Sequence, residues 1–289
     1  MRRERIFSLL VITTLLLAAC VQATPPSGGE AAAPAGAAVT NSLGVQLPAD
    51  AAPLDQQNLR YASIEGKHFD TMRNEYEGFA YETTIETLAK MDADGVWHPA
   101  AADSWEVSDD GRTWTFHLRK DAKWSDGTPI TADDWVYSFH RYEDPKMANV
   151  YAFFLFDIEN AEAVNKGEKP IEEMGVKKID DYTFSVTTKV SLPYYMYNLN
   201  WHAVPVPKHM VEKLGDAWAD SPDTAPTNGP FMIKEWNRGQ NVVFTLNPHY
   251  NGPYKPKLEK MTLVIVPQGF DQQLQMYQAG DIDVTGGIR

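Results

Sequence analysis

The sequence predicts a mixed α/β body, and three stretches carry that prediction. Residues 106–119 read as a β-hairpin: Asp109-Asp110-Gly111 supplies the turn, and Trp114, Phe116 and Leu118 alternate with Thr113, Thr115 and His117. Thr131-Ala132-Asp133-Asp134 reads as a capping box opening a helix, with Trp135, Val136, Phe139 and Tyr142 on its buried stripe. Residues 182–188 alternate as a strand after a turn at Asp180-Asp181. With 289 residues, 43% of them hydrophobic and 11% aromatic, the chain can fill one or two cores and is neither disordered nor fibrous.

Taken from the start, residues 1–19 form a secretory leader: Arg2, Arg3 and Arg5 precede an apolar run broken by Ser8, Thr13 and Thr14, shorter than a membrane span. The leader ends in Leu17-Ala18-Ala19-Cys20, which resembles a bacterial lipobox, and Cys20 is the chain's only cysteine. Cys20 is therefore expected to be acylated as the first mature residue; two or more acyl chains anchor stably where one does not. A lone cysteine also allows no internal disulfide and no thiolate metal cage. Residues 20–44 are rich in Pro, Gly, Ala, Ser and Thr and read as a flexible linker. Beyond the elements above, helices are expected at 152–165, stopping at Gly167, at 210–214, closed by Gly215, and at 271–279. Further strands are expected at 241–246, 261–266 and 282–284. No internal repeat is present.

Charge and motifs exclude several functions. The net charge is −13, and removal of Arg2, Arg3, Arg5 and Glu4 with the leader leaves 23 basic and 38 acidic residues, a net −15. Such a chain lacks the basic face of a nucleic-acid binder and does not cling to anionic lipid, so any membrane association falls to the lipid anchor. There is no G-x-S-x-G elbow, no phosphate loop and no dinucleotide fingerprint. The seven histidines (68, 98, 117, 140, 202, 209 and 249) never take metal-ligand spacing, so neither a metal nor a cofactor is expected. The acidic pairs Asp109-Asp110, Asp133-Asp134 and Asp180-Asp181 fall at turns and a helix start, where turn and capping chemistry explains them better than catalysis. An enzyme is not expected.

The stretch from Phe116 to Asp134, containing Lys123-Trp124-Ser125-Asp126-Gly127-Thr128-Pro129, resembles the signature of the bacterial extracellular solute-binding proteins of family 5. Upstream Pro99 to Glu106 fits the same pattern. Downstream follow Val206-Pro207-Lys208-His209, Asn228-Gly229-Pro230-Phe231, Asn247-Pro248-His249-Tyr250 and Ala279-Gly280-Asp281-Ile282-Asp283, all in family order. The peptide-binding branch is resembled most closely, through Asp144-Pro145, Asn149-Val150-Tyr151-Ala152, Gly175 to Asp181, and Ile64-Glu65-Gly66 ahead of Glu75-Tyr76-Glu77-Gly78. Two departures stand out: valine replaces proline before Tyr151, and several residues are inserted between Gly78 and Trp105.

The resemblance implies a periplasmic-binding-protein-like two-lobe fold with a smaller inserted domain. The first lobe would comprise 45–82 plus 207–289 and the insertion 83–206; the far lobe, the returning strand and the acidic residue that holds a peptide's amino terminus would lie outside this sequence. The implied function is a lipid-anchored receptor that captures peptides and delivers them to the permease and ATPase subunits of an ABC importer. Alternatives are a sensory or adhesion lipoprotein of the same fold, or a receptor for a nickel chelate or oligosaccharide. Ligand contact is expected at Tyr151, Glu65, Gly66, Asn228 and Gly229. Tyr151 and Glu65 would bond peptide main chain, with a core position the lesser reading of Tyr151; Asn228-Gly229-Pro230 reads more readily as a turn near the crossing between lobes than as a direct ligand contact. Trp105, Trp114 and Trp124 are expected in the core.

Overall fold

The computed structural model describes residues 39–73, 81–202, 204–266 and 270–285. Cys20 and the leader lie outside them. The first strand, β1 (Asn58–Ser63), follows a short 3-10 turn at Leu54–Gln56. After a one-turn helix α1 (Tyr81–Thr84) come the short hairpin β2 (Ala89–Met91) and β3 (Trp97–Pro99), then β4 (Ala102–Val107) and β5 (Thr113–Leu118). Helix α2 (Ala132–Glu143) leads to α3 (Ala161–Asn165), the hairpin β6 (Val176–Asp180) and β7 (Thr183–Thr187), and helices α4 (Tyr195–His202) and α5 (Lys208–Leu214). The chain closes with β8 (Phe231–Asn237), β9 (Asn241–Leu246), β10 (Lys260–Ile265) and α6 (Phe270–Ala279).

The strands sort into two four-stranded sheets and the β2–β3 pair. One sheet has the order β4-β5-β7-β6 and is antiparallel throughout. Its expected hairpin forms: Gly111 takes φ +69° at the turn, a conformation that favours a residue without Cβ, and the Asp110 carboxylate accepts from the Ser108 hydroxyl (2.6 Å) and the Arg112 N–H (3.1 Å). Helix α2 starts as expected, with the Thr131 N–H donating to the Asp134 carboxylate at 2.9 Å. Its Trp135 and Phe139 are buried against Phe184 of β7 (ring centroids 6.0 and 6.1 Å), which stacks on Phe116 of β5 at 5.3 Å. Trp114 and Trp124 are buried as expected, whereas Trp105 is only half-buried at the sheet edge.

The other sheet has the order β1-β10-β9-β8, with β1 parallel to β10 and the remaining pairs antiparallel. The Asp283 carboxylate closes its edge: it accepts from the Arg60 N–H and meets the guanidinium at 2.7 Å. Through Met276, α6 packs on Ala62, Val266 and Ile282, leaving Leu274 and Tyr277 exposed.

Three expectations are corrected. The helix at 152–165 is interrupted: a 3-10 turn covers Ala152–Leu155, and α3 begins only at Ala161. Between them the backbone bonds to the end of β7, with the Glu159 N–H donating to Thr187 O (2.9 Å) and the Lys189 N–H to Asp157 O (2.8 Å), which a continuous helix would forbid. Residues 282–284 form one bridge, Tyr61 to Val284, rather than a strand. Last, the flexible linker ends before residue 44. Buried Asn41 accepts from the Leu43 and Val45 N–H groups and donates to Pro256 O (2.7 Å), and Ser42 bonds Glu259, so this stretch is docked on the body.

Candidate functional site

The five residues singled out from the sequence fall in three places. Glu65 and Gly66 follow β1, and the Glu65 carboxylate clips the β8–β9 hairpin: it accepts from Trp236 Nε1 at 2.8 Å and from the Gly239 N–H at 3.1 Å. The Arg238 guanidinium covers the Trp236 ring at 3.1 Å from its centroid, and Phe69 packs on the same indole. Glu65 is half-exposed beside buried Gly66, and both of its carboxylate oxygens accept a hydrogen bond from the β8–β9 hairpin.

Tyr151 opens the 3-10 turn at Ala152–Leu155 and is half-buried. Its N–H donates to Asn149 Oδ1 (2.9 Å) and its carbonyl accepts from the Tyr142 hydroxyl (3.2 Å). An aromatic array continues from it: Phe154 stacks on Tyr151 at 6.1 Å and on His202 at 4.0 Å, while Phe153 and Val150 are exposed. Below this array, where α2 ends and α4 begins, the fully buried Glu143 carboxylate has no hydrogen-bond partner for either oxygen among the described residues, nor has the buried Tyr195 hydroxyl. Burial raises Glu143 to about 8, so the acid is predominantly protonated at neutral pH. Burial also raises Tyr195, with the negative charges of Asp157 and Glu143 adding to the effect.

Asn228 and Gly229 form a buried junction. The Asn228 carboxamide pairs with the backbone of Glu86 in both directions, accepting from its N–H (3.1 Å) and donating to its carbonyl (2.7 Å). The Gly229 N–H donates to Thr84 O at 2.8 Å, and a Cβ on Gly229 would stand 2.6 Å from that carbonyl, so only glycine fits. This arrangement favours the reading as a turn between two regions over direct ligand contact. Next to the junction, the buried Glu86 carboxylate meets Arg119 Nη2 and accepts from the Tyr250 hydroxyl, each at 2.6 Å. Burial raises Glu86, opposed chiefly by the Arg119 charge. A second buried pair, Arg141 with Asp70 at 2.6 Å, is completed by Trp218 Nε1 donating to Asp70 at 3.2 Å.

Among the described residues, no group of three or more His, Cys, Asp or Glu side chains could hold a metal ion, and no helix is long and apolar enough to cross a membrane. Sequence reasoning missed the aromatic side chains of α4, whose Tyr197 and Trp201 are exposed; their spacing shows no clean apolar stripe that would have flagged the helix.

The model of the bacterial extracellular solute-binding proteins, family 5 Middle, matches residues 96–289, and the chain belongs to that family. Its sequence is 37% identical over 251 residues to the periplasmic oligopeptide-binding protein OppA of Escherichia coli, covering 84% of this chain and 46% of the relative. It is also 32% identical to the probable deoxycholate-binding periplasmic protein YgiS of the same organism, over 83% of this chain and 45% of the relative. Among solved structures, Haemophilus influenzae OppA in complex with RPPGFSPFR matches with a TM-score of 0.71 and 34% identity, over 81% of this chain and 46% of that one. The open, unliganded murein tripeptide-binding protein MppA matches with a TM-score of 0.73 and 32% identity, over 81% and 46%. The chain thus spans about half the length of the curated relatives it matches.

Proposed function

We propose that the whole protein is a lipid-anchored receptor that captures peptides and delivers them to the permease and ATPase subunits of an ABC importer. The observation that carries this reading is the similarity to a periplasmic oligopeptide-binding protein over more than four-fifths of the chain. In this reading residues 45–82 plus 207–289 belong to a first lobe and 83–206 to an inserted domain. The separation of β1 and β8–β10 from β4–β7 into different sheets supports that division. Tyr151, Glu65 and Gly66 face the peptide, while Asn228 and Gly229 hold the floor in place. Peptides share only a backbone, so such a receptor hydrogen-bonds main chain and leaves side chains in roomy, wet pockets. The leader and Cys20 supply the anchor. A second reading, a receptor for an amphipathic carboxylate, is favoured by the similarity to the probable deoxycholate-binding relative.

Calorimetry on the full-length protein with peptides of two to six residues tests the first reading. Tyr151→Phe removes one hydrogen bond and is expected to weaken binding by a few-fold to about tenfold, or about 0.5–1.5 kcal/mol. Heat with no peptide alongside tight binding of deoxycholate would move the protein to the second reading. Cys20→Ala is expected to shift the protein from the membrane fraction to the soluble fraction; retention in the membrane would remove the anchor.

A further inference from the structure

A cleft of about 370 Å³ opens between the β2–β3 hairpin, α4 and the chain following β9, and none of the five residues singled out above lines it. Its apolar wall is aromatic. Trp97 of β3 and Tyr197 of α4 meet edge to face at 5.1 Å, and Trp201, one turn further along α4, is 63% exposed. Large flat side chains left half in water beside a cavity present ready-made stacking surfaces.

The charges around the cleft are unequal. The Glu86 carboxylate lines it, already held by Arg119 and Tyr250. Asp92, at the β2–β3 turn, is held by His98 at 2.6 Å. Lys90, by contrast, is exposed, places its ammonium 4.7 Å above the Tyr254 ring, and makes no ion pair among the described residues. The cleft therefore offers aromatic walls and one exposed ammonium, whose charge reaches Glu86 without forming an ion pair among the described residues.

We infer that this cleft is a second ligand site, which takes an arylalkyl carboxylate with its ring against Trp97, Tyr197 and Trp201 and its carboxylate on Lys90. The chain's net negative charge does not forbid an acid here, because screening over ~8 Å at physiological salt leaves nearby charges in control. The ligand chemistry has two sources, a free aromatic acid or the carboxyl-terminal aromatic residue of a peptide. Neither requires the peptide cleft proposed above.

Saturation-transfer NMR on the full-length protein, with 3-phenylpropionate and indole-3-propionate at ~1 mM, tests the site. For ligands this small, affinities near ~1 mM or tighter are expected. Transfer should be strong for both acids and several-fold weaker for 3-phenylpropylamine, which keeps the ring and reverses the charge. Trp201→Ala should weaken binding at least tenfold and Lys90→Gln about three- to tenfold, with peptide calorimetry unchanged in both variants. N-acetyl-Gly-Phe with a free carboxylate, compared with its amide, separates the sources: binding comparable to the free acids and lost in the amide identifies a peptide terminus, and binding of the free acids alone identifies a small metabolite. No transfer to either acid, equal binding of the amine, or wild-type affinity in both variants would overturn the site while leaving the peptide-receptor reading untouched.

Discussion

The two four-stranded sheets differ in how far apart in the chain their neighbours lie. In β4-β5-β7-β6 two of the three pairs are hairpins, and a single helix, α2, covers the paired aromatic rings. In β1-β10-β9-β8 the outer strand pairs in parallel with a partner roughly 200 residues later, a contact that cannot form until both have been made and brought together. The first region can gain its core locally. The second depends on long-range fastenings, and several polar links join the regions, among them Asp70 with Arg141, Asn228 and Tyr250 with Glu86, and His209 with Asp126.

Breaking those fastenings sharpens the contrast. Arg141→Ala leaves the Asp70 carboxylate fully buried, with only the Trp218 and Met72 N–H donors, and is expected to cost about 3–5 kcal/mol in denaturant unfolding. A loss below about 1 kcal/mol would show that the pair contributes little to joining the regions.

The next effect lies within the local region and depends on pH. Glu143 titrates near 8 in the folded protein against an ordinary value of 4.5, so folding takes up a proton between these limits. Its contribution to stability is fully present below about 4.5 and is lost as pH rises through about 8, by at most ~1.4 kcal/mol per pH unit. Glu143→Gln should flatten the fall in melting temperature between pH 5 and pH 8 (about those limits), and an unchanged profile would place the proton elsewhere.

The smallest expected loss is at the junction. Asn228→Ala strands the Glu86 N–H and carbonyl in a buried site, costing about 1–3 kcal/mol. Hydrogen exchange in the variant should speed up around residues 84–87 before it does in β5 and β7; uniform acceleration would deny the junction a local role.

The same contrast decides what could be read from the sequence. The β4–β5 and β6–β7 hairpins and the start of α2 carry their signals within a few residues: Asp-Asp-Gly, Asp-Asp and a Thr-x-x-Asp cap. β1 escaped, because Asn58-Leu59-Arg60-Tyr61-Ala62-Ser63 is mostly half-buried and lacks a strong alternation. The 152–165 stretch reads as helix in the sequence, but its interruption comes from bonds to Thr187 and Lys189, which no local pattern announces. At the candidate site, family-like motifs point to Glu65, Tyr151 and Asn228. They did not reveal that Glu65 is bonded to the β8–β9 hairpin, or that the Asn228 carboxamide is occupied by a residue 142 positions away.

The parallel pairing of β1 with β10 also has a consequence during synthesis. At about 5–20 residues per second, the roughly 200 residues between them take on the order of 10–40 s to emerge. Throughout that interval β1 is a strand without its partner, able to pair with the wrong edge, its own copy on a neighbouring ribosome included. Arg60 sits near its middle. In the finished protein that guanidinium is tied to Asp283, which is made later still than β10. Until then it is an uncompensated charge in the middle of a bare strand, a gatekeeper that discourages premature association. One side chain thus guards the nascent chain first and fastens the folded sheet afterwards.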